Sequence, residues 1–83
     1  MNKNAAFDAV KKELERAISL HPRYNTPHEG FAVIHEEFDE LWDEIKKHDK
    51  CDVARENMRE EAVQLATVAI RFLIDCCGDA PEQ

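Results

Sequence analysis

An all-α fold of about three helices, completed by association between copies of the chain, is what this sequence predicts from three observations. Glycine and proline are scarce, 2 and 3 in 83 residues, and stand where helices should begin or end. No alternating apolar and polar run enriched in β-branched residues is long enough for a strand. The last periodic stretch is apolar around nearly its whole circumference, which one small chain cannot bury. A chain of 83 residues forms a single domain, 1–83, with too little core to be comfortably stable alone.

The first helix is expected over about residues 5–20 behind Asn4 as N-cap, with Phe7, Val10, Leu14, Ala17 and Ile18 on one face. His21-Pro22 ends it, because the residue before a proline is pushed out of helical geometry. Thr26-Pro27-His28-Glu29 then announces a second helix, about 27–47, by an N-cap threonine, a first-turn proline and a capping-box glutamate. Phe31, Ile34, Phe38, Leu41 and Ile45 recur three and four apart along it as a bundle-packing face, and Trp42 widens that face. The run His48-Asp49-Lys50-Cys51 breaks the pattern. Asp52 can cap a third helix over about 53–77, closed by Gly78 at the C′ position, with Asp79 to Gln83 as a frayed tail. Between Ala62 and Cys77 only Gln64, Thr67, Arg71 and Asp75 are strongly polar, on one narrow stripe. Val63, Ile70 and Ile74 lie opposite the face that includes Leu65 and Phe72, so a homodimer or tetramer is expected to cover them.

Charge and cysteine content narrow the partners. A net charge of −7 repels nucleic-acid backbone and anionic membrane alike. No apolar run approaches a membrane span, and Met1-Asn2-Lys3-Asn4 lacks the apolar stretch of a signal peptide, so a cytoplasmic location is expected. Cys51, Cys76 and Cys77 have no metal spacing and read as reduced, small apolar residues.

The chemistry lies in the carboxylates. Glu37, Glu40 and Glu44 share a strip bordering the apolar seam of the second helix, while Glu36 and Asp39 point outward. Residues three apart on a helix hold their Cβ atoms roughly 5–6 Å apart, so Glu37 and Glu40 can reach one cation, though a solvated acidic face has the same pattern. Glu61 projects into the arc of Leu65, Val68 and Phe72, where an uncompensated carboxylate costs several kcal/mol. Either a cation serves it or a basic partner does, Arg16, Arg55 and Lys46 being the candidates. His21, His28, His35 and His48 are never three or four apart, which disfavours a histidine metal site within one helix. Trp42 is read as a packing residue first and a base-stacking residue second, and Tyr24 in the connection is open to either role.

Glu36-Glu37-Phe38-Asp39-Glu40 (EExxE) followed after a gap by Glu60-Glu61-Ala62-Val63-Gln64 (EExxQ) resembles the MazG-like all-α nucleoside triphosphate pyrophosphohydrolases, over roughly His28 to Leu73. Those proteins hold magnesium with an ExxE pair on one helix and an ExxD pair on the next. The resemblance implies Glu37 and Glu40 as the first ligand pair, Glu61 as the third ligand, and Gln64 where the family has aspartate. It further implies Mg²⁺-dependent conversion of a nucleoside triphosphate to the monophosphate and pyrophosphate, with Glu36 or Glu40 polarising water. Lys46, Lys47, Arg55 or Arg59 would then meet the outer phosphates. An amide at 64 coordinates without adding charge, so metal binding is expected to be weaker than with four carboxylates. The alternative is a catalytically degenerate relative that keeps the helical bundle and binds nucleotide or a protein partner.

Overall fold

The computed structural model describes residues 1–47 and 53–78. They form three helices, α1 (Lys3–Leu20), α2 (Pro27–Ile45) and α3 (Ala54–Cys77), with no strand among the described residues. The all-α expectation holds, and each helix end follows from local chemistry. The Asn2 side chain, rather than that of Asn4, caps α1 by accepting the Ala5 N–H at 2.8 Å, two residues earlier than the sequence reading placed it. Thr26 caps α2 as expected, its hydroxyl accepting the Glu29 N–H at 3.1 Å, with Pro27 in the first turn. Glu29 returns the bond to the Asn25 N–H at 3.0 Å, one residue before the usual capping-box donor. Gly78 follows α3 in an extended conformation (φ −72°, ψ 153°), so it is not the left-handed cap expected there. The expected cap Asp52, the break at 48–51 and the tail 79–83 lie outside the described residues.

Helix α3 is the middle of the molecule: it packs on α1 and on α2, which do not approach each other. α2 and α3 run antiparallel, since Gly30 lies against Phe72 at one end and Asn57 bonds Glu44 at the other. A Cβ at Gly30 would lie 2.7 Å from Phe72 Cδ2 and 2.9 Å from Tyr24 Cδ2, so the absence of a side chain is what lets both rings pack.

The most buried side of α3 is its polar stripe. Thr67 is fully buried, Arg71 is 5 % exposed, and the Asp75 side chain is 3 % exposed. Arg71 Nε donates to Asp75 Oδ2 at 3.1 Å, while its two terminal nitrogens donate to the carbonyls of Ala17 (3.1 Å) and His21 (3.0 Å) at the end of α1. The Ala17 carbonyl also accepts the His21 N–H at 2.9 Å, the His21 carbonyl lies beyond the last turn, and a cation there opposes the negative end of the α1 dipole. Asp75 Oδ2 in turn accepts the Tyr24 N–H at 3.0 Å, and Arg23 donates to the Asp75 carbonyl at 3.0 Å. One buried ion pair therefore fastens the α1 terminus and the connection before α2 to the same turn of α3.

The apolar residues divide unexpectedly. Val10, Leu14 and Ala17 of α1 and Ile34, Leu41 and Ile45 of α2 are turned partly inward, whereas Phe7, Phe31, Phe38 and Trp42 are more than half exposed. On α3, Leu73 is 61 % exposed, and Ile70 and Ile74 are each 36 % exposed. No helix is long and apolar enough to cross a membrane among the described residues.

Two substitutions test this account by urea denaturation. Arg71→Ala, which removes the cation paired with the buried Asp75 carboxylate and a donor to two carbonyls at the end of α1, is expected to lower stability by about 3–5 kcal/mol. Gly30→Ala is expected to cost about 1–3 kcal/mol by displacing the two rings.

Candidate metal centre

Antiparallel pairing of α2 and α3 brings three carboxylates together. Glu37 and Glu40 stand one turn apart on α2, Glu61 faces them from α3, and one oxygen from each lies within 4.8 Å of the other two. Two of the six oxygens, Glu37 Oε2 and Glu61 Oε2, are shut off from solvent without a hydrogen-bond partner. Polar atoms so placed are rare and costly, and a carboxylate oxygen in that position is satisfied by a proton, a hydrogen-bond donor or a cation. No arginine or lysine meets Glu61 among the described residues: Arg16 is taken by Glu13 at 2.6 Å and Lys46 by Asp43 at 3.2 Å. Of the three basic candidates, Arg16 and Lys46 are thus engaged elsewhere and Arg55 is exposed.

The electrostatics follow from this crowding. Burial, then the charge of Glu40 and a proton shared with it, then Glu61 and Glu36, push Glu37 up from 4.5 to about 7. Glu61 is raised as well, by burial first, then by Glu40, and less by Glu44 and Glu60. Three carboxylates at this distance cannot all ionise comfortably without a compensating cation.

The remaining expected site residues are dispersed. Gln64 turns to α1, where its Nε2 donates to Glu13 Oε2 at 2.9 Å. Glu36 is exposed beside the cluster. Glu44 accepts from Asn57 Nδ2 at 3.1 Å and from Lys47 Nζ at 3.2 Å, which makes Lys47 the basic residue tied to the acidic strip. Lys46 leans over the Trp42 ring at 5.8 Å. Arg59 pairs with Glu56 at 3.4 Å, and Arg55 is exposed. Both arginines lie more than about 100° around α3 from Glu61, on its far side.

Beside the cluster is a cleft of about 390 Å³ between α1 and α2, floored by the polar stripe of α3. Glu37 belongs to both the cluster and the cleft; Val33, Tyr24 and Val68 supply apolar wall, and Glu13, Gln64 and Arg71 supply polar edge. The sequence reading had not assigned Glu13 or Arg71 to a site. Only the burial of the α3 stripe reveals them, although the four polar residues at helical spacing were visible in the chain.

This arrangement can gather a hard cation on oxygen ligands and hold a small organic group next to it. No family model, curated protein or solved structure matches the chain.

A pH dependence follows. Glu37 is held above its unfolded value, so the stability associated with it is present below about pH 4.5 and is lost as the pH rises through about 7. Glu61 acts in the same direction. Metal-free protein is thus expected to melt higher at pH 5 than at pH 8. Glu37→Gln should flatten that slope and raise the melting temperature at pH 8. A slope unchanged in Glu37→Gln would mean that the cluster is not its source.

Proposed function

We propose that the chain is a cytoplasmic, Mg²⁺-dependent nucleoside triphosphate pyrophosphohydrolase, releasing nucleoside monophosphate and pyrophosphate. The observation that carries this reading is the Glu37, Glu40 and Glu61 cluster with its two sealed, partnerless oxygens. The donor set is all carboxylate, the class that suits magnesium, and Glu37, Glu40 and Glu61 would hold the ion. When bound, magnesium neutralises phosphate oxygens and acidifies coordinated water, chemistry that needs no nucleophilic side chain.

The chain's own residues complete the arrangement. Glu40 is the exposed member of the cluster and meets solvent there, so it is better placed than the outlying Glu36 to orient a water and take its proton. Lys47, anchored on Glu44, is the basic side chain nearest the strip and would face the outer phosphates, whereas Arg55 and Arg59 are turned away. The nucleoside would occupy the cleft that Glu37 shares, between Tyr24 and Val33 and the edge formed by Gln64 and Glu13.

A second reading has a specific observation in its favour. Gln64 is engaged by Glu13 and leaves three carboxylates where the resembled family has four, which fits a degenerate relative that binds nucleotide without cleaving it. A panel of nucleoside triphosphates with magnesium, read by released pyrophosphate, separates the two. Turnover that disappears in Glu61→Gln is expected for the enzyme. Magnesium or nucleotide raising the melting temperature without turnover identifies the binder, and indifference to both rules out each reading.

The position of Gln64 also fixes the sign of one substitution. Gln64→Asp would put a carboxylate against Glu13 and remove a hydrogen bond between α1 and α3. A lower melting temperature in the absence of metal is the expected result, with no gain in stability on adding magnesium beyond that of the unaltered protein.

A further inference from the structure

The cleft has one edge whose hydrogen-bonding sense is fixed by the chain itself. Arg16 donates from Nε to Glu13 Oε1 at 3.0 Å and from Nη2 to Glu13 Oε2 at 2.6 Å, a bidentate pair one turn apart on α1. Those hydrogen bonds hold the Glu13 carboxyl below its usual range, so at neutral pH it is ionised and only accepts. Gln64 then fits one way round. Turning its carbonyl to Glu13 would set two acceptors together, so Nε2 faces Glu13 and donates to it at 2.9 Å. The amide oxygen Oε1 accepts no hydrogen bond among the described residues and is not sealed from solvent. Both side chains line the cleft.

The floor of the cleft supplies no matching donor. Arg71 turns Nε to Asp75 and its two terminal nitrogens to the carbonyls of Ala17 and His21, and Thr67 donates its hydroxyl to the Val63 carbonyl at 2.7 Å. The Tyr24 hydroxyl either donates or accepts and so favours neither kind of partner. A donor at this edge must come from the occupant.

We propose that Gln64 and Glu13 are specificity-determining residues that select a nucleobase bearing an exocyclic amino group, cytosine or adenine, over its keto counterpart, with Arg16 as their positioning residue. The two hydrogens of an amino group answer Gln64 Oε1 and the lone pair left on Glu13 Oε1, the sense in which a glutamine amide reads the amino edge of a base. A keto group at the same place turns its own lone pairs toward two acceptors. It also leaves Gln64 Oε1 unpaired after displacing the water that served it. The ring N–H of uracil is no substitute, because it lies between two carbonyls and brings one of them to Glu13. This inference rests on a nucleotide occupying the cleft, which the hydrolase and the binder readings share. It gives Gln64 a task that needs no metal ion.

The test is equilibrium binding to the whole chain, by calorimetry with magnesium at neutral pH, of the α,β-methylene analogues of CTP, UTP, ATP and ITP, in which the bond to be cleaved is blocked. CTP against UTP and ATP against ITP each exchange an amino for a keto group. Within each pair that binds, the amino member is expected to bind about 10-fold more tightly or better. Glu13→Gln, whose amide accepts or donates, frees the Gln64 amide to turn over, so the preference should fall toward unity while circular dichroism keeps its helical signal. Gln64→Leu should weaken the amino members and spare the keto ones, whereas loss of a merely structural bond would weaken all four alike. Equal affinity within the pairs, a keto preference in either, or a preference unmoved by Glu13→Gln overturns this inference and leaves the hydrolase reading standing. Failure of all four to bind overturns both.

Discussion

The buried pair of Arg71 and Asp75 is the constraint on which the rest of the molecule hangs. Helices α1 and α2 do not touch, so their relation is set entirely through α3 and the short connection between them. Arg71 takes the last carbonyls of α1, while Asp75 takes the backbone of Tyr24 at the start of the connection. A planar guanidinium with fixed donors suits such a junction better than a flexible ammonium would. Burying an ion pair adds little net stability, but leaving either partner alone is strongly unfavourable, so the pair selects one arrangement over its neighbours. Tyr24 reinforces the choice from the other side: its ring lies under the Arg71 guanidinium at 5.8 Å and against the bare backbone of Gly30.

That junction explains why a cleft exists at all. Helix α1 has no fully buried residue; it packs on α3 through Val10, Leu14 and Ala17 and through polar contacts at Gln64 and Arg71, and stands beside α2 without packing on it. The space between them opens next to Glu37. The carboxylate cluster is the opposite kind of feature, since it works against the fold that creates it: the antiparallel pairing of α2 and α3 forces three like charges together and seals two of their oxygens. Local destabilisation of this kind is relieved by whatever binds there, which couples occupancy of the site to the stability of the helical pair.

The two sides of that pair also divide the labour of the sequence. Thr67, Arg71 and the Asp75 carboxylate of α3 point to the chain's own interior while Ile70, Leu73 and Ile74 are exposed, the reverse of a self-sufficient small domain. The inversion is intelligible when a chain this small must keep a polar cleft and still find apolar area to bury: the cleft is made within the chain and the apolar contact is left for a surface outside it.

Much of this was legible in the residues themselves. Helix-period spacing set three helices, Thr26 and Pro27 marked the start of α2, and the three-residue separation of Glu37 and Glu40 put them on one face, because these depend on neighbours within a turn or two. The inward placement of Glu61 could be read from the company it keeps on the wheel. What the sequence could not decide was which side of an almost wholly apolar helix faces its partners. The stripe of Gln64, Thr67, Arg71 and Asp75 became the floor of the interior because the α1 carbonyls, Glu13 and the Tyr24 backbone supply partners for it, and no local pattern records partners about fifty residues away. For the same reason Gln64, one turn from Glu61, went to α1 and not to the carboxylates, and Phe31, Phe38 and Trp42 were parted from Ile34, Leu41 and Ile45. Periodicity determines which residues share a helix face. Only the packing of one helix on another determines which face is inside, since that choice is made by contacts the chain forms with its own distant parts.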